Sequence, residues 1–451
     1  MNNTAIIGFY SHAHSAERMK KRIDNAVKQI EDYSPGLDFL GYVSDHCKLD
    51  ENNLKDKLNK NISQYDNILF ILAGWVESTA IINILSDCSH KPLIVLSLAG
   101  YYTDNGLIAP AGAAAASLLR PTLEDLNIEY EIIYQNINEP IKVDAIVNNT
   151  LVNKAIRLLK NTKIASIGYA CSNLYPFMYD GSLIKTAFGV HVDNIELLEI
   201  KQLADKVTQD AIKNFTNDFM EKVCFKSDYK QSDIRLLGKY VVALVKIIEE
   251  NDYKGITIKC GSGPGALLGF TPCIILSYIS KYAEVICEGD VYGLLLQVII
   301  KTLTGNETLF LEIFEFYKDR VLMACCGHAP FSFCKGKKVL ACSHDWDGSG
   351  GIMNISELKT GIITLSSLYK KNGKFFLYST TANARNPEKF QEEGWKNEGG
   401  PKIPALEIKL DQDLKEFQNN IYSPHFIISY GDITENLKKY CQLSNIEFIS
   451  S

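Results

Sequence analysis

The run Val285-Ile286-Cys287-Glu288-Gly289-Asp290-Val291-Tyr292-Gly293 sets a β-prone apolar stretch, two carboxylates and an apolar helix-like stretch in immediate succession. Ala283 to Cys287 has the texture of a buried strand, and Leu294 to Leu303 that of a buried helix. Strand–turn–helix units of this kind build an open α/β sheet, whose ligands bind at the carboxyl ends of the strands. Glu288 and Asp290 stand at such an end. A further acid, Glu312, follows the short apolar run Thr308-Leu309-Phe310-Leu311. Two carboxylates delivered by two successive strand ends suit a hard divalent cation, and the pattern predicts an enzyme.

The length of 451 residues predicts two or three domains. A net charge of −6, with no basic stripe interleaved with aromatics, argues against nucleic acid as a partner. No window approaches the roughly 20 uninterrupted apolar residues of a membrane-spanning helix. The N-terminus lacks a basic region followed by a long apolar run, so no signal peptide is expected. Twelve cysteines in such a chain predict reduced thiols in the cytoplasm.

Strand-like segments at Ile6 to Tyr10, Phe39 to Val43, Asn67 to Leu72 and Pro92 to Leu98 alternate with amphipathic stretches such as Glu17 to Ile30. This predicts a Rossmann-like parallel-sheet domain over 1–162. A second α/β domain is expected over 163–338, with a strand near Asn194 to Glu199 and a helix over Asp233 to Asn251. From residue 339 to 451, Gly-rich turns and alternating segments (Gly361 to Leu368, Lys374 to Thr380) predict a mostly antiparallel β domain. The fold class is therefore α/β, with two parallel-sheet domains followed by a β-rich one.

Several other positions carry chemistry. Asp290 is placed either to cap the following helix or to share a crevice with Glu288. His425 enters the apolar run Phe426-Ile427-Ile428. Cys325-Cys326-Gly327-His328, with Cys334, Cys342 and His344, invites a zinc reading, but adjacent Cys325 and Cys326 lack the Cys-x2-4-Cys spacing of structural zinc sites. His12, His14 and Trp75 are candidates for lining the crevice or that of a neighbouring subunit. Gly261-Ser262-Gly263-Pro264-Gly265 follows a strand, so Gly261, Ser262 and Gly263 are candidates for cradling an anion with backbone N–H groups. No Gly-Lys-Ser/Thr closes the loop, so it is not a Walker motif.

Taken together, Ile258-Lys259-Cys260, Thr271-Pro272-Cys273, Cys287 to Gly293, Leu303-Thr304-Gly305, Ala329-Pro330-Phe331 and Ser429-Tyr430-Gly431-Asp432 resemble the L-fucose/L-arabinose isomerase family. The resemblance runs from about residue 163 to the end and is only architectural before that. It implies a metal-dependent ketol isomerase, typically using manganese, with Glu288, Glu312 and His425 as ligands. It also implies a homo-oligomer, a trimer or hexamer, with sites at subunit interfaces. The chain departs from the family at Cys325, where members often carry His, and His328 stands three residues on. The loop at Gly261 is small where the family's is bulky, which leaves room for a longer sugar or one bearing a phosphate or sulfonate.

The implied reaction moves a proton between C1 and C2 of an open-chain sugar through an enediolate. A cation such as Mn²⁺ polarises the sugar oxygens, and Glu288 and Glu312 act as acid/base groups. Two rival readings are a non-catalytic sugar-binding protein of the same fold and a nucleotide-binding α/β enzyme.

Overall fold

The computed structural model describes residues 3–450 apart from 34–35, 46, 89, 172–173, 228, 261–266, 345–349, 393–401 and 412. The chain forms two compact units, Met1–Arg157 and Leu158–Ser451.

In the first unit five parallel strands lie in the order Leu37–Ser44, Thr4–Tyr10, Asn67–Leu72, Leu93–Ser97, Tyr130–Tyr134. Successive side chains of a strand point to opposite faces, so each central strand feeds two cores. Ile7, Phe9, Phe70 and Leu72 join one, with Leu58, Ile81 and Leu119 from the helices above. Ile6, Leu69 and Ile71 join the other, with Met19, Ile23 and Ile30 from the helix Ala16–Glu31. That helix buries residues at spacings of three and four, and Ser15 caps it by accepting the Arg18 N–H.

The second unit contains two principal sheets. One is parallel and four-stranded, ordered Glu284–Cys287, Tyr253–Ile258, Lys163–Ile167, His191–Ile195. The other has seven strands, ordered Gly361–Lys371, His425–Tyr430, Leu309–Tyr317, Arg320–Ala324, Ala405–Leu410, Lys374–Arg385, Glu447–Ser450. All its pairings are antiparallel except that of Lys374–Arg385 with Glu447–Ser450. Gly361–Lys371 also pairs along its length with Lys374–Arg385, so six strands close into a ring without free edges. The architecture is thus the α/β class expected, with parallel sheets followed by a mostly antiparallel β region. Among the described residues no helix is long and apolar enough to cross a membrane.

Two local expectations are corrected. The strand expected near Asn194 to Glu199 ends at Ile195, and Leu197–Asp205 is a helix. Ile200 and Ala204, four residues apart, supply its buried stripe. Glu312 is not at a strand end. The run Leu309 to Tyr317 forms one nine-residue strand with Glu312 in its middle, and it pairs antiparallel on both sides. Ladder hydrogen bonds carry the strand past the acid, which a short apolar run cannot reveal.

Candidate metal centre

Glu288 follows the last residue of the strand Glu284–Cys287. Its φ is +64° and that of Gly289 is +71°, so the chain reverses sharply here. A Cβ on Gly289 would lie 2.4 Å from the Tyr169 carbonyl oxygen and 2.6 Å from Ala170 Cα, leaving room for glycine alone. The neighbouring segment also donates the Cys171 N–H to the Glu288 carbonyl at 3.2 Å. Asp290 then caps the helix Val291–Thr304, its Oδ1 accepting the Gly293 N–H at 2.9 Å. The strand, the strained turn and the cap together set where the Glu288 and Asp290 carboxylates stand.

Glu312 and His425 come from the closed sheet. The strands Leu309–Tyr317 and His425–Tyr430 pair so that Glu312 sits directly opposite His425. Side chains so placed share a face, with Cβ atoms about 5 Å apart. The His425 ring is buried between two aromatics. Phe177 stacks on it at 4.4 Å between centroids, and Phe310 meets it edge-on at 4.5 Å.

These elements converge. One ligand atom each from Glu288, Glu312 and His425 lies within 4.8 Å of the others. His425 Nδ1 is 2.9 Å from Asp290 Oδ2, and its Nε2 is 3.4 Å from Glu288 Oε2. Nε2 is buried with no hydrogen-bond partner among the described residues. Burial works against a charged ring, but the hydrogen bond to Asp290 and the nearby carboxylates of Glu288 and Glu312 prevail, raising the His425 pKa to about 10. Burial also pushes the Glu312 carboxyl up to about 7, with His425 opposing the rise.

Three carboxylates around one imidazole form a pocket that calls for positive charge. Two carboxylate oxygens and an orphaned imidazole nitrogen aimed into one space match the donor set of a hard octahedral divalent cation such as Mn²⁺. Asp290 on the far nitrogen orients the ring in the manner of carboxylate–histidine–metal arrangements. The residues present therefore fit such an ion.

Within the second unit, His328 and Cys325 are not part of the trio. His328 is buried against Phe310, whose ring stacks on it at 6.2 Å, and its Nδ1 lies 3.4 Å from Ser277 Oγ. Burial lowers its pKa to about 4, so it is a neutral packing residue outside the trio. Its ring and that of His425 both pack against Phe310. Cys325 is fully buried. His12, His14 and Trp75 gather at the carboxyl edge of the first unit's sheet, where the His12 ring bonds Asp45 at 2.9 Å and His14 lies against Gly74. Gly261, Ser262 and Gly263 lie outside the described residues. Phe177 was not legible, because no local pattern links it to a histidine 248 positions away.

Comparison with known sequences relates the chain, distantly, to sugar isomerases. No protein-family model matches it. Two curated relatives, from Priestia aryabhattai and Priestia megaterium (strain ATCC 12872 / QMB1551), are both named sulfoquinovose isomerase. Each is 21% identical over 324 residues, spanning 70% of this chain and 71% of the relative.

Proposed function

We propose that this protein is a cation-dependent aldose–ketose isomerase acting on an open-chain sugar that bears a sulfonate. The convergence of Glu288, Glu312 and His425 carries the reading, and the relatives' name supports the substrate class. Glu288, Glu312 and His425 would hold the cation, which when bound supplies Lewis-acid polarisation of the sugar oxygens at C1 and C2.

The chain's own groups account for the rest. Transfer of a proton between adjacent carbons needs an acid/base group whose affinity for the proton lies near the working pH. Burial raises the proton affinity of the Glu312 carboxyl, and a cation held beside it would offset that rise. Glu288, on its strained turn, remains partly exposed toward the site. Asp290 holds the His425 ring, and Phe177 and Phe310 keep water from its faces.

The test is turnover of sulfoquinovose with Mn²⁺ in deuterated water, followed by NMR. Glu288→Gln and Glu312→Gln are each expected to lower kcat by about 10² or more. Solvent deuterium should enter at the carbon beside the carbonyl. Wild-type turnover in both variants would overturn the assignment.

A further inference from the structure

The four-stranded sheet has a second concavity, at the end opposite Glu288. A cavity of about 520 Å³ opens where Thr162, Asp252 and Glu284 precede or begin three of the parallel strands. Glu284 begins the strand Glu284–Cys287 and Glu288 follows its last residue, so roughly 13 Å separates this cavity from the metal centre. The volume is that of a small-molecule pocket.

Glu284 lines this cavity with only 9% of its surface exposed. Its Oε2 accepts the Thr308 hydroxyl at 2.5 Å. A carboxylate has about four acceptor positions, so most of this group's capacity is left for something in the cavity. None of the lining lysines pairs with it. Lys254 pairs with Asp252, Lys301 donates to the Gly305 carbonyl, and Lys281 lies over the Tyr278 and Tyr282 rings. Burial pushes the Glu284 carboxyl up to about 7, as expected of an under-solvated acid.

The rest of the lining narrows the ligand. The lining holds three lysines and three acids, and two of the lysines are already paired, Lys254 with Asp252 and Lys281 with Asp218, so little charge is left to hold an ion. Ser280, Thr162 and Thr308 add hydroxyls, while Val285 and Val298 form an apolar floor. Acceptor, hydroxyls and apolar floor together are the surface a polyol uses, with its O–H groups on the carboxylate and its C–H faces on the aliphatic side chains.

We propose that this cavity is a second ligand site, distinct from the metal centre, for a neutral polyhydroxylated small molecule held by Glu284. The ligand would sit at the common root of the two strands that carry the centre's carboxylates, since Glu284 begins one and Thr308 precedes the other.

Isothermal titration of the full-length protein with D-glucitol tests this. Saturable binding is expected in wild type and in Glu312→Gln, with at least tenfold weakening in Glu284→Gln. Ser332→Trp, at an exposed position on the lining, should also abolish it without disturbing the buried carboxyl. Binding lost in Glu312→Gln but kept in Glu284→Gln would place the polyol at the metal centre and overturn the proposal. So would the absence of saturable binding in wild type, or saturation by ethylammonium but not by glucitol. The metal-centre reading survives each of these results, since its own test is turnover.

Discussion

His425 Nδ1 lies 2.9 Å from Asp290 Oδ2, and the other oxygen of the same carboxylate caps the helix Val291–Thr304 through the Gly293 N–H. One side chain thus ties a histidine 135 residues away to the start of a helix. The two tasks are separable. Asp290→Asn keeps an oxygen for the cap and loses the charge that orients the imidazole. It should weaken Mn²⁺ binding about 10–100-fold, measured by titration calorimetry, with little change in stability. Asp290→Ala should show the same loss and also cost about 1 kcal/mol in urea unfolding.

Binding of the cation should release protons. His425, with a pKa raised to about 10, carries a proton at pH 7.5 that a ligating nitrogen cannot keep. Glu312, at about 7, is mostly ionised at that pH but largely protonated at pH 6. Calorimetry in buffers of different ionisation enthalpy should therefore report release of about one proton per Mn²⁺ at pH 7.5, rising toward about two at pH 6. Affinity should increase with pH across this range. Release of no protons would remove His425 and Glu312 from the ligand set.

Gly289→Ala places a Cβ in the left-handed region at φ +71° and against the backbone of Tyr169 and Ala170. Conformational strain and the backbone clash together should cost about 2 kcal/mol or more. The turn that presents Glu288 should be displaced as well. Urea unfolding and Mn²⁺ titration on the same variant check both expectations.

Glu284 gives a pH signature of its own. Its folded pKa of about 7 lies above the ordinary carboxylate value of 4.5, so the folded state holds the proton more tightly than the unfolded chain. The associated stability is fully present below about pH 4.5 and is lost as pH rises through about 7. Glu284→Gln removes this titration. The wild type should lose roughly 3 kcal/mol relative to the variant between pH 4.5 and 8, read from paired denaturation curves. Parallel pH dependence in the two proteins would refute it.

Much of the architecture could be read locally. The alternation of apolar strands and amphipathic helices in the first unit is written in residues such as Ile6, Phe9, Met19 and Ile23, because side-chain periods of two and 3.6 are properties of the backbone itself. The Glu288-Gly289-Asp290 turn was equally visible, as an acid-bearing junction between two apolar runs. The closure of six strands into a ring was not, since pairing partners such as Leu309 and Ile428 are far apart along the chain.

The sequence by itself determined the element types, the acidic strand end and, through resemblance, which three side chains to watch. Only the tertiary structure decided that Glu312 stands mid-strand opposite His425, that Asp290 serves both a helix and a ring, that His328 packs against Phe310, and that Glu284 opens onto a cavity. The reason is physical. Periodicity and capping act over a few residues, whereas register, burial and the charge around a titrating group are set by segments that meet only when the chain has folded.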